Sequence, residues 1–282
     1  VSFDDGDHWQ ALRLNMAASS VRDLIVKDDD LVAATHGRGF WILDDITPLR
    51  QLSAGVAAAA VHLFAPQTAI RFRWNRNTDT PLPPEIPAGK NPPDGAILDY
   101  FLKAAATGPV TLEILDAQGQ LVRRYASTDK PEPLDKIAAE HPIPIYWVRP
   151  PQILSAAPGM HRFVWDMHYP PPDALETEFP ISAIYRDTPK SPLGARALPG
   201  AYTVKLTVDG KSYTQPLTVR MDPRIATPQA GLAKQFAMEM GCVQGMNESY
   251  AALQLVQALR AQLKERAANL PKGQLAGAIA AL

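Results

Sequence analysis

Tyr202-Thr203-Val204-Lys205-Leu206-Thr207-Val208-Asp209-Gly210, continuing into Lys211-Ser212-Tyr213, is the stretch that decides the fold class. Tyr202, Val204, Leu206 and Val208 alternate with Thr203, Lys205 and Thr207, the period of two that gives a half-buried strand one apolar face. Asp209-Gly210 supplies the positive-φ pair of a tight turn, and the return strand runs over residues 212–219. Moving outward, the same signal recurs upstream. In residues 161–169, Phe163, Trp165 and Met167 alternate with Arg162, Val164 and Asp166. Residues 110–115 and 121–125 flank the turn Asp116-Ala117-Gln118-Gly119, and residues 96–103 read as another strand. Five or more strands with turn punctuation predict a β-sandwich over residues 95–222, with long loop insertions such as residues 170–199.

Beyond Asp222-Pro223 the period changes. Leu232, Phe236, Met240, Val243, Met246, Tyr250, Leu253, Val256, Leu259 and Leu263 recur at three and four, which predicts a long amphipathic helix. Thr227 and Pro228 suit its N-cap and first position, Asn269 and Pro271 its end, and Gly241 and Gly245 a break. Residues 274–282 begin a second helical pattern, so residues 223–282 read as a C-terminal α-helical hairpin that is cut short. Residues 65–94 crowd Pro81, Pro83, Pro84, Pro87, Pro92 and Pro93 among few large apolar residues and read as a linker. A second proline-rich stretch covers residues 131–158. Residues 1–64 hold short strands at 21–26, 31–35 and 40–43, each apolar on nearly both faces, as in a sheet stacked between neighbours.

Composition narrows the functional classes. With 282 residues, 46% of them hydrophobic, the chain can bury real cores and divides into about two domains. Lys and Arg total 28 against 29 Asp and Glu, with no basic run, so no nucleic-acid partner is expected. Cys242 is the one cysteine, which rules out an intrachain disulfide; its place in the helical stripe predicts a buried, inert thiol. No apolar run approaches the ~18 residues of a membrane span. The first residues show no Met and no signal peptide, and the chain reads as cut at its N-terminus as well.

Ser2-Phe3-Asp4-Asp5-Gly6-Asp7-His8-Trp9 fits the pattern Ser/Thr-x-Asp-x-Gly-x-x-Trp. Asp4 can accept backbone N–H groups within the turn, Gly6 permits a positive φ, and Trp9 is expected to fold under the hairpin as an apolar plug. The motif resembles the Asp-box of bacterial β-propeller proteins of the sortilin and sialidase-like type, often labelled glycosyl hydrolase-like. Thr35-His36-Gly37-Arg38-Gly39-Phe40-Trp41-Ile42-Leu43-Asp44-Asp45 looks like the closing blade of such a propeller. Residues 159–167 and 198–204 are similar to the immunoglobulin-like module of the flagellar hook-assembly family, which commonly follows these propellers. The resemblance implies a mainly β chain: the end of a β-propeller, about one blade, over residues 1–64; a linker; an immunoglobulin-like β-sandwich over 95–222; and the helical segment.

Each candidate site has a plain structural reading beside the functional one. Asp4, Asp5 and Asp7 lack the alternating ligands and terminal Glu of a calcium loop, and Asp28, Asp29 and Asp30 suit a solvated hairpin tip. His36 and Arg38, between glycines and beside Trp41, could contact a ligand at a propeller mouth; a strand-to-strand turn with Arg38 packed on Phe40 or Trp41 is the simpler reading. Asp44 and Asp45 are adjacent on a strand, point to opposite faces and cannot flank one glycosidic bond. Trp165, Asp166 and His168 with Tyr169 could form a polar site, but alternation puts Trp165 on the core face, away from Asp166, and favours a core tryptophan. No nucleophile elbow, phosphate loop, dinucleotide fingerprint or His-Glu-x-x-His occurs. No catalytic residue, metal ligand or cofactor is therefore expected.

By resemblance, the chain is the non-catalytic C-terminal portion of a secreted or periplasmic propeller protein that binds a carbohydrate or protein ligand. One alternative makes it the accessory end of a glycoside hydrolase whose catalytic residues lie in other blades. The other makes the apolar stripe of the helix a self-association surface, giving a homo-oligomer.

Overall fold

The structure is a computed structural model that describes residues 1–73, 80–86, 89–180 and 183–268. It is mainly β, with a C-terminal helix. A first sheet is a meander of β1 (Val21–Lys27), β2 (Asp30–Thr35) and β3 (Phe40–Leu43), all antiparallel. It is preceded by the turn at Ser2 to Trp9, whose flanks close through Gln10 N–H to Val1 O at 2.8 Å. Two short helices, α1 (Thr47–Arg50) and α2 (Ala54–Ala58), lead out of it; the Ser53 hydroxyl caps α2 by accepting from Val56 N–H.

The remaining strands are β4 (Val61–Leu63), β5 (Ala69–Arg71), β6 (Ala96–Leu102), β7 (Thr111–Leu115), β8 (Leu121–Ala126), β9 (Gly159–Trp165), β10 (Gly200–Val208) and β11 (Lys211–Met221). They form a three-stranded sheet in the order β4-β6-β9 and a five-stranded sheet in the order β5-β11-β10-β7-β8. One buried cluster joins the two sheets: Leu98, Tyr100, Phe163 and Trp165 from the first, and Leu112, Ile114, Val122, Val204, Leu206 and Leu217 from the second. The Trp165 and Tyr202 rings meet edge to face at 5.5 Å across it. The hairpin β10–β11 turns through Asp209 (φ 48°) and Gly210 (φ 76°), as the Asp-Gly pair requires.

Several expectations need correcting. The first unit does not run to residue 64. Val61–Leu63 is β4, it pairs with β6, and Leu63 and Phe64 are buried, so the two-sheet body starts at about residue 61. The stretch read as a linker likewise contains β5, which runs parallel to β11 and occupies that sheet's edge. The loop over residues 170–199 is packed rather than an excursion: Ala183, Thr188, Ala195 and Ala197 are buried, and Tyr169 N–H bonds Ala195 O at 2.8 Å. The second proline-rich stretch includes α3 (Leu134–Glu140) and a 3-10 turn at Ile145–Trp147.

The C-terminal helix α4 (Gln229–Ala268) is one unbroken element of 40 residues, passing through Gly241 and Gly245. Two glycines cost a helix only about 1 kcal/mol each, which the other 38 positions absorb. Pro228 O accepts the first bonds, from Gly231 and Leu232 N–H, so the proline stands one place before the helix rather than inside it. Among the described residues only the first half docks: Leu232 is buried and the Phe236 ring lies 5.3 Å from that of Tyr169. Leu255, Val256 and Leu259 stand 48–61% exposed. The expected helix end at Asn269 and Pro271 and the second helix over 274–282 lie outside the described residues. No described helix is long and apolar enough to cross a membrane.

Candidate functional site

At the N-terminal turn, Asp4 Oδ1 accepts from His8 N–H at 2.9 Å and from the Ser2 hydroxyl at 2.8 Å, while Ser2 Oγ accepts from Gly6 N–H at 2.8 Å. The bond from the His8 backbone, followed by those from the His8 ring and Ser2, holds the Asp4 carboxyl below its usual range. Gly6 has φ 102°, and the Trp9 ring lies over it. Trp9 is nevertheless 74% exposed, so it is not a buried plug in this chain; a single turn offers no second layer to bury it.

His36, Arg38 and Trp41 come together only as a turn. Gly37 and Gly39 take positive φ, Thr35 N–H and Oγ1 both donate to Gly39 O, and the Trp41 indole N–H donates to Arg38 O at 3.1 Å. The His36 and Arg38 side chains are exposed. At the end of β3, the Asp44 carboxyl is pushed up by burial and then by Asp30, with Arg162 opposing. Arg162 reaches across from β9: it forks onto Asp99 at 3.0 and 3.1 Å and donates to the carbonyls of Asp44 and Asp45 at 2.8 and 3.0 Å. This is a joint between the first sheet and the body.

The concave surfaces lie elsewhere, on either side of Asp166 to Tyr169. Trp165 is fully buried, and Asp166 and His168 on the turn that follows face polar surroundings. Burial pulls the His168 imidazole below its usual value, with Asp166 opposing. On one side is a cleft of about 270 Å³ around Arg149. Arg149 sits 2.7 Å from Asp187 and 3.6 Å from both Asp94 and Asp166, a cation already surrounded by carboxylates.

On the other side is a groove of about 1050 Å³, between the β5 edge of the five-stranded sheet, the loop at Leu193 to Arg196 and the docked half of α4. Arg71, Arg73, Arg196, Lys234 and His168 line it, against the carboxylates Asp94 and Glu239. Arg196 donates to Phe72 O, and its backbone N–H donates to Glu239 at 3.0 Å. Arg71 is only 5% exposed; its Nη1 faces the Met221 sulfur at 3.6 Å and its Nε has no hydrogen-bond partner. Burial lowers the Arg71 guanidinium from its usual value, and Glu239 opposes this. Cys242 is free and exposed on the groove wall, not buried as expected, because the docked face of α4 turns it towards the open side.

Of the groove residues, Leu232, Val243, Met246 and Cys242 are legible in sequence as parts of the helical stripe and His168 as part of a polar turn; the cations Arg71, Arg73 and Arg196 are not. The signal was the alternation Ile70-Arg71-Phe72-Arg73, cations on one side of a short strand, inside a stretch dismissed as linker. Among the described residues, no group of three or more His, Cys, Asp or Glu is placed to hold a metal. Both concavities offer fixed charges to a ligand. No protein-family model matches the chain, and no curated protein matches it significantly.

Proposed function

We propose that the chain is the accessory C-terminal part of an Asp-box β-propeller protein working outside the cytoplasm, with the first sheet as the closing blade and the two-sheet body as an immunoglobulin-like module. Its role in this reading is to close the propeller and help present a carbohydrate or protein ligand, without chemistry of its own.

One observation carries the reading. The first sheet exposes apolar residues on both faces: Leu24, Ile25 and Val26 on β1 are 52–57% exposed, and Phe40 and Ile42 on β3 are 78% and 58% exposed. Adjacent strand residues point to opposite faces, so Leu24, Ile25 and Val26 cannot all be covered by one partner layer. A sheet stacked between sheets is the architecture that covers both, and a propeller blade is such a sheet. The hydrogen-bonded turn at Ser2, Asp4 and Gly6 is further support.

Hydrogen exchange tests it. In the isolated chain, β1 amides are expected to exchange far faster than those of β6, β9 and β10. In the native polypeptide, with any flanking sequence it carries, β1 is expected to be as protected as β10. A β1 that exchanges as fast there as in the isolated chain overturns the proposal.

A further inference from the structure

We infer that the groove between the β5 edge and the first half of α4 is a binding site for a small apolar carboxylate, with Arg71 as the anchor for its charged head. The inference uses no part of the propeller reading.

It starts from a buried charge that no carboxylate among the described residues pairs directly. A buried cation is normally paired or hydrogen-bonded, because desolvating it costs several kcal/mol. Arg71 is 95% buried, counting from its 5% exposure, yet among the described residues the one hydrogen bond of its guanidinium is to a thioether and its Nε makes none. It forms no ion pair among the described residues. The two carboxylates nearby are committed. Glu239 accepts from the Arg196 backbone and from Gln235 at 2.7 Å, and Asp94 lies against Arg149. An incoming carboxylate would find the planar fork that matches it, with Arg73, Arg196 and Lys234 adding positive field on the same groove.

The walls define the rest of the ligand. Met221, Ile225, Leu232, Met238, Val243 and Met246 form an apolar lining; Met238 is 65% and Ile225 45% exposed. Three methionines make a surface that adapts to an unbranched chain. A concave, mostly apolar site with one convergent charged group is the usual form of a small-molecule site, and its volume suits one. A carboxylate on an aliphatic body satisfies both halves, whereas a highly charged phosphate or sugar would leave the methionine wall unused.

The test uses the full chain with methyl-labelled methionine, observed by NMR during titration with sodium octanoate. Saturable shifts of the Met221, Met238 and Met246 methyls are expected, with 1-octanol and acetate each binding at least tenfold more weakly. Arg71→Met is expected to weaken octanoate at least tenfold; so is Met238→Glu, which places a negative charge on the exposed wall and leaves the core alone. If Arg71→Met does not fold, Met238→Glu decides. Methyls that do not move, octanol binding as tightly as octanoate, acetate binding as tightly as octanoate, or unchanged affinity in Met238→Glu overturns the inference.

Discussion

The Tyr100 hydroxyl ties the core to residue 155 through two hydrogen bonds on one atom. It donates to Ser155 O at 2.8 Å and accepts from Ser155 N–H at 2.7 Å, in a residue 1% exposed. Burial pushes its phenol up to about 12, and that of Tyr202 to about 12 as well, against about 10 in an unfolded chain. The folded state holds these protons more tightly, so the stability they contribute is complete below pH ~10 and is lost as pH rises through 12. Tyr100→Phe should cost about 1–3 kcal/mol at pH 8, because the Ser155 N–H loses its partner. It should also flatten the fall in stability between pH 10 and 11.5, as read from urea melts; an unchanged slope would mean the phenol is not the titrating group. At this scale the sequence was informative where a residue's task is local. The bonds of Ser2, Asp4 and Gly6 lie within one turn, so spacing reveals them, but the exposure of Trp9 depends on what lies above it.

Among the elements, the close pairing of β6 with β9 depends on a residue just before β6. Gly95 has φ 151°, and a Cβ there would overlap the Trp165 carbonyl oxygen and crowd the Val164 side chain. Gly95→Ala should therefore destabilise the body by at least ~3 kcal/mol in thermal melts, while Gly89→Ala, with open space around it, stays within about 0.5 kcal/mol. Equal melting of the two variants would refute the steric account. The hairpins of the body were legible because Tyr202, Val204, Leu206 and Val208 hold the period over four successive positions. β4 and β5 were not, since three residues cannot establish a period, and Arg71 sits where alternation would ask for an apolar side chain. α4 was legible in its length and missed in its environment: the apolar stripe runs to Leu263, but only the part up to about Met246 meets the body.

The whole molecule is two β units joined by few polar links, and Arg162 is the chief of them. Arg162→Met should remove its bonds to the Asp44 and Asp45 carbonyls and leave Asp99, 4% exposed, without its partner. The expected cost is about 2 kcal/mol, below that of a dry ion pair, because the Arg162 side chain is 35% exposed. Adding Asp99→Asn should restore part of it by removing the stranded charge; a double variant no more stable than the single one would place the loss in packing instead. The groove was the least legible feature of all. Arg71, Arg196 and Glu239 are separated by more than a hundred and by forty-three positions, and nothing local in any of them signals the others. The same helix that walls the groove also shapes how the molecule moves through water. At 1.5 Å per residue α4 is about 60 Å long, longer than a compact body of this size is wide. A rod on a globule drags and tumbles unevenly, so gel filtration will report an inflated mass and NMR lines from the free half of the rod will be sharper than those from its root. Absolute mass from light scattering is therefore the measure by which single copies of this chain are to be told from pairs.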